Sequence, residues 1–293
     1  MKLLDTFPAF EAYWASVRTL PIAVQIARWE SDYMAPWPEL LQKQKDDYRQ
    51  AGQSWQRIAR ARIFPRIPAR LGRLRRLHDN LVRELPGAWK RTREVLEVDF
   101  DVQFVIYIGL GCGAGWATQL GGVPAVLFGL ENAAEATAGE RGGGPGAVSH
   151  EVAHLVHDEW RRRARLPGIE DARGPYWQLY EEGFATECER VIDGPSRFRL
   201  RTGRPDWLGW CTQHRAALAR RFLKDVRARR SVRPFFGSWF SIGGHTECGY
   251  YLGAELIRHL KETLSLREIA RLSSPEVRES ARRALTSFAK TSG

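Results

Sequence analysis

The sequence is short of several features that would assign it to a specialised class. Its four cysteines, Cys112, Cys188, Cys211 and Cys248, are far apart and form no CxxC pair. They read as reduced thiols of a cytoplasmic protein. No secretory signal is visible, because Met1-Lys2-Leu3-Leu4-Asp5 puts an acid where such a signal needs its apolar core. Only one long stretch lacks charge, Val102 to Leu130, and its seven glycines and Pro124 break it too often for a membrane span. There is no internal repeat and no low-complexity tail. Lysine is scarce, 7 residues against 38 arginines.

What remains is ordinary globular material. Hydrophobic residues are 43% and charged residues 27%, which excludes a disordered, collagen-like or coiled-coil chain. A length of 293 residues suits one large domain or two small ones. The unusual bulk number is a net charge of +11. A nucleic-acid or anionic-surface partner is one reading of it. A general bias toward arginine is the reading favoured, because arginine is spread along the chain without a dense block. The basic runs Arg57–Arg93 and Arg215–Arg233 are expected to be solvated helix faces, and neither nucleic acid nor membrane is expected as a partner.

Residues 1–95 read as a helical N-terminal region, with apolar faces broken at Pro36, Pro38, Pro65, Pro68 and Pro86. Two buried strands are expected over Val102–Leu110 and Val123–Leu130, joined by the Gly-rich link Gly109–Gly115. A small-residue segment Glu131–Gly139 and a Gly loop Arg141–Gly146 follow. Helices are then expected over Val148–Leu166, Pro175–Ile192, Asp206–Arg229, Tyr250–Leu264 and Ser274–Ala289. The fold class expected is α+β: mostly helical, with a small β-sheet beside the first of these later helices. Residues 96–293 would form the catalytic domain, with no convincing linker before it.

The informative residues are His150-Glu151-Val152-Ala153-His154. On a helix, positions i and i+4 share a face one turn apart, so two imidazoles can hold one Zn²⁺. Glu151 then lies close enough to act as general base toward a water at the ion, which attacks a carbonyl. Val152, Ala153, Leu155 and Val156 make this turn an interior one. The charged run Asp158–Arg163 is expected to turn the helix polar after the motif.

A hydrolytic zinc site needs a third protein ligand. His157 lies too far along a straight helix from His150, about 10 Å at 1.5 Å per residue, and reads as a core residue or one that backs a ligand. The better candidates are the acids of Tyr180-Glu181-Glu182-Gly183-Phe184-Ala185-Thr186-Glu187-Cys188-Glu189, among which spacing does not choose. Most of these four acids are expected to face solvent.

HEVAH followed by EEGFATECE resembles the gluzincin metallopeptidases, whose aminopeptidase branch carries a Glu-Gly-Phe-Ala block one helix after HExxH. The Glu before that Gly is the third zinc ligand there, which implies Glu182 here. The 27 residues between His154 and Glu182 exceed the gap of that branch. Residues 100–265 more closely resemble a family of predicted bacterial zinc-dependent proteases without an assigned substrate, which adds a late Gly-Tyr-x-x-Gly helix. Gly249-Tyr250-Tyr251-Leu252-Gly253 stands at that place. The resemblance implies a zincin-like domain that cleaves a peptide or protein substrate, with Tyr250 donating to the developing oxyanion. Tyr251 points about 100° away from it on a helix. Gly129-Leu130-Glu131-Asn132 is similar to the strand whose Glu holds a substrate α-amine, which implies that role for Glu131. His245 and Glu247 are expected in an exposed loop. The alternatives are a basic nucleic-acid-binding protein with an incidental HExxH, or a zinc hydrolase of a non-peptide amide or ester.

Overall fold

The computed structural model describes residues 1–50, 52–110, 114–136, 145–169, 172–195, 205–236 and 240–290. Residues 111–113 of the link Gly109–Gly115, Cys112 among them, and residues 137–144 of the small-residue segment and Gly loop lie outside the described residues. By its contacts the chain divides into two compact units, Met1–Glu151 and Val152–Gly293. The architecture is α+β and mostly helical, with one four-stranded sheet.

The sheet lies in the first unit. Its strands β1 (Lys2–Asp5), β2 (Gln103–Tyr107), β3 (Trp116–Leu120) and β4 (Val123–Gly129) run in the order β1-β2-β4-β3. β1 and β4 flank β2 in parallel, and β3 pairs antiparallel with β4 at the edge. β2 and β4 are buried almost throughout, as their unbroken apolar runs require. The two inner strands occupy the stretches expected for them; the outer two are additions. β3 and β4 are joined by Gly121-Gly122, both with positive φ (60° and 72°). A two-residue hairpin with positive φ at both central positions is one that glycine enters without strain.

Helices fill the rest of this unit: α1 (Phe7–Val17), α2 (Ile22–Trp29), α3 (Pro38–Gln50), α4 (Trp55–Ile58), α5 (Ile67–Leu96) and α6 (Leu130–Ala136). The N-terminal region is therefore helical except for β1, which reading it as wholly helical overlooks. An aromatic cluster of Phe7, Phe10, Tyr13, Trp14, Trp29 and Tyr33 forms its core. Tyr33 ties this cluster to the sheet, since its hydroxyl lies 2.6 Å from Thr6 Oγ1 and accepts the Ile108 N–H at 3.1 Å.

Pro86 does not break the chain into two helices, contrary to expectation. α5 runs through it. Leu74, Leu77, Leu81, Leu85, Ala88 and Trp89 form a buried stripe across that point, and burying it outweighs the one hydrogen bond that a proline cannot donate. On the opposite face Arg75 and Arg76 are exposed, the solvated basic face that was expected.

The second unit contains α8 (Pro175–Asp193), α9 (Trp207–Gln213), α10 (Arg215–Arg227), α11 (Cys248–Leu260), α12 (Leu266–Ile269) and α13 (Ser274–Lys290). α7 (Pro145–Arg163) crosses from the first unit into it. The single helix expected over Asp206–Arg229 is two helices. His214 leaves helical geometry with ψ near 11°, and its ring stacks on Trp210 at 4.2 Å. Among the described residues, Cys188, Cys211 and Cys248 are buried free thiols. None of the described helices is long and apolar enough to cross a membrane.

α8 and α11 cross at two glycines. A Cβ on Gly183 would stand 2.3 Å from the Gly253 carbonyl carbon. A Cβ on Gly253 would stand 2.4 Å from the Leu179 oxygen. Backbone thus lies directly on backbone, a separation no other residue permits at either position.

Candidate metal centre

α7 carries the first three site residues. Val148, Val152, Ala153 and Val156 are fully buried and fix its rotation, so that His150 and His154, 5% and 9% exposed, lie inward on one face. The helix stops at Arg163, with Arg165 in the left-handed region (φ 56°) and Pro167 beyond it. The polar turn expected after the motif comes late: Asp158 is half-buried and only Arg162 and Arg163 are exposed. Glu159, Trp160 and Arg161 are all buried. The reason is pairing: Arg162 and Arg163 hold the Glu159 carboxylate. Arg161 donates to the carbonyls of Pro167, Ala270 and Leu272 and lies over the Trp177 ring. A buried charge is tolerable once its donors or acceptors are satisfied in this way.

α8 supplies the third donor. His150, His154 and Glu182 each offer an atom, and these atoms lie within 4.8 Å of one another. Glu182 Oε2 is 3.8 Å from His154 Nε2, while Glu181 Oε1 is 4.0 Å from Nδ1 of the same ring. That arrangement separates the two acids that spacing alone leaves equal. Glu182 joins the histidine pair, and Glu181 faces the opposite edge of the imidazole, 4.0 Å away and beyond hydrogen-bond reach.

This donor set fits a divalent cation. Two imidazoles and one carboxylate, two of the three buried, are the ligand types of an open tetrahedral site. Ligand bonds of about 2.0–2.1 Å imply donors about 3.3 Å apart in a tetrahedron, so the His154–Glu182 pair need close by only a fraction of an ångström.

The other acids of α8 are not solvent-facing, which corrects the expectation for them. Glu187 and Glu189 are buried and Glu181 and Glu182 are half-buried. Glu187 accepts from Arg190 and from Lys261, each at 2.7 Å. Burial pushes its carboxyl upward, but those two cations prevail and hold it below the usual range. His157 is a core residue, as expected. It is fully buried against Phe184 at 4.3 Å, with Nε2 3.1 Å from the Tyr180 hydroxyl. Burial, with Arg161 and His154 nearby, depresses its pKa well below the usual imidazole value.

Glu151 is half-buried beside Gly115. A Cβ at that glycine would stand 3.0 Å from Glu151 Cγ and 3.3 Å from its carboxylate. Gly115 therefore leaves the room that the Glu151 side chain occupies. Reading the glycines of this segment as loop punctuation does not show that, although a glycine immediately before an edge strand is the available signal.

Of the two tyrosines, Tyr251 is 2% exposed and packs edge-on to Trp207. Tyr250 is half-buried and lies one turn before Gly253 on α11, with its ring edge-on to Phe236 at 5.8 Å. Glu131 is 3% exposed, and its Oε2 accepts the Gly109 N–H at 2.9 Å. His245 is not in an exposed loop. It is 6% exposed, stacks on Trp210 at 4.1 Å and sits 3.2 Å from Asp206.

No known protein family matches this chain, and neither does any curated protein or solved structure.

Proposed function

We propose that this protein is a zinc-dependent peptidase with a zincin-like catalytic domain, in which His150, His154 and Glu182 hold the ion. The observation that carries this reading is the convergence of those three donors within 4.8 Å, with Glu151 next to the first of them on α7. Bound Zn²⁺ would supply Lewis acidity, lowering the pKa of water and polarising the scissile carbonyl. Glu151 takes the proton that this water gives up and passes it to the leaving amine. Glu181, 4.0 Å from Nδ1 of His154, adds negative charge on the far side of that ring. Tyr250 donates to the oxyanion. Three facts support Tyr250 over its neighbour: Tyr251 is sealed in the core, Tyr250 is half-buried, and Gly253, one turn on, touches the glycine that follows Glu182. The substrate is a peptide or protein.

The test is metal content by elemental analysis together with cleavage of an unstructured protein such as casein. Wild type should hold one zinc per chain and cleave. Glu151→Gln should keep the zinc and lose activity by a factor of about 10² or more, the usual weight of a general base. A protein that takes up no stoichiometric metal when zinc is supplied, or a Glu151→Gln variant that cleaves at the wild-type rate, overturns the proposal.

A further inference from the structure

A cavity of about 550 Å³ opens in the second unit between the C-terminal turns of α10 and α13. Five of its nine lining residues are cations: Arg220, Lys224, Arg227, Arg230 and Lys290. Among the described residues, no acid and no aromatic residue lines it. Among the described residues Asp225 neutralises Arg230 at 2.5 Å, and Arg220 gives one N–H to the Ala289 carbonyl. Arg220, Lys224, Arg227 and Lys290 have no carboxylate partner among the described residues.

Cations are expected near helix C-termini, so part of this charge has a local cause. Each helix end offers about half a negative charge, and two ends offer about one. That leaves roughly three positive charges uncompensated around one concavity. Charges of one sign in a concave site repel each other and concentrate anions from solution. The volume lies in the range of small-ligand sites, about 300–1,000 Å³. A site for a nucleotide or a nucleic-acid strand would be expected to offer an aromatic surface for base stacking. Forked guanidiniums and point-charge ammoniums together suit phosphate oxygens.

We infer that this cavity binds a compact polyanion bearing two or more phosphate groups, at a site separate from the metal donors. The experiment is isothermal titration with inorganic tripolyphosphate at about 50 and about 200 mM NaCl. It compares wild type, Lys224→Gln/Arg227→Gln/Lys290→Gln, and a control, Arg57→Gln/Arg60→Gln/Arg62→Gln. All six residues are exposed, so both variants should fold, and each loses the same charge. Binding of one tripolyphosphate that weakens with salt, at least about tenfold weaker in the cavity variant and within about twofold in the control, is the expected result. No binding at low salt, or equal loss in both variants, overturns the inference by reducing it to net charge. A single-stranded oligonucleotide that binds more tightly than tripolyphosphate, with the same dependence on Lys224, Arg227 and Lys290, overturns the compact-ligand assignment.

Discussion

Replacing Gly253 by alanine tests the helix crossing that positions Glu182. Two effects oppose each other. In the interior of α11, alanine is favoured over glycine by roughly 0.5–1 kcal/mol, because it restricts the unfolded chain and suits a helix. Against this, the new methyl would stand 2.4 Å from the Leu179 carbonyl oxygen and 2.7 Å from Gly183 Cα. Ordinary van der Waals contact begins near 3.5 Å, so the helices must part by about 1 Å. The obstacle is backbone, which cannot rotate away. Overpacking of this kind typically costs about 1–3 kcal/mol, and a rigid obstacle places it at the upper end. The net expectation is a loss of about 2 kcal/mol, or about 4–8 °C in melting temperature for a chain of this size. Gly209 is the control, since it lies within α9 with nothing within 4 Å of its would-be Cβ. Gly209→Ala should raise stability slightly. Thermal melts followed by circular dichroism read both. A Gly253→Ala protein that melts at or above the wild-type temperature refutes the argument, as does a Gly209→Ala protein that loses as much as Gly253→Ala.

Three further outcomes follow from the geometry. If the proposed peptidase activity holds, Gly115→Ala should crowd Glu151 and lower kcat about tenfold to a hundredfold, as a displaced catalytic group does, while zinc content stays at wild type; loss of zinc instead would locate the effect elsewhere. His78 is 2.8 Å from Asp5 and 2.9 Å from Asp79, and although burial lowers its pKa, these two carboxylates raise it more, above the ordinary 6.5. A raised folded value means that its stabilisation is complete below pH 6.5 and disappears as pH rises through that folded value; urea midpoints should fall across that window in wild type and lose this component in His78→Gln. Glu187→Gln leaves Arg190 and Lys261 facing a neutral amide from which no full charge returns, and should destabilise the second unit by roughly 3 kcal/mol; a midpoint unchanged in chemical denaturation would show that the pair is not needed.

The candidate metal donors on α7 were legible because HExxH is local: the 3.6-residue period alone brings His150 and His154 together. Buried strands β2 and β4 were legible because they are apolar without interruption. β1 was not, since four residues carry no period and owe their conformation to a partner strand far along the chain. β3 was hidden by its mixed, half-buried composition between two glycine segments, although Gly121-Gly122 is a hairpin signal. The buried charges fall into two kinds. Glu159 with Arg162 and Arg163, and Glu187 with Arg190, sit at spacings of three or four that announce pairing. Arg161 is different, because the carbonyls it serves come from Ala270 and Leu272, more than 100 residues away. Nor does one helix alone decide between Glu181 and Glu182. Only the neighbouring imidazole, with its two distinct nitrogens, gives them different places.

The parallel pairing of β1 with β2 bears on how the chain is made. Thr6 meets Ile106 across a separation of 100 residues. At about 5–20 residues per second, β1 leaves the ribosome about 5–20 s before β2 exists to receive it. Throughout that interval its amide groups are open to any other extended segment, the circumstance in which nascent chains associate wrongly. Its shortness, and the opposite charges of Lys2 and Asp5 at its two ends, limit what it can recruit while it waits.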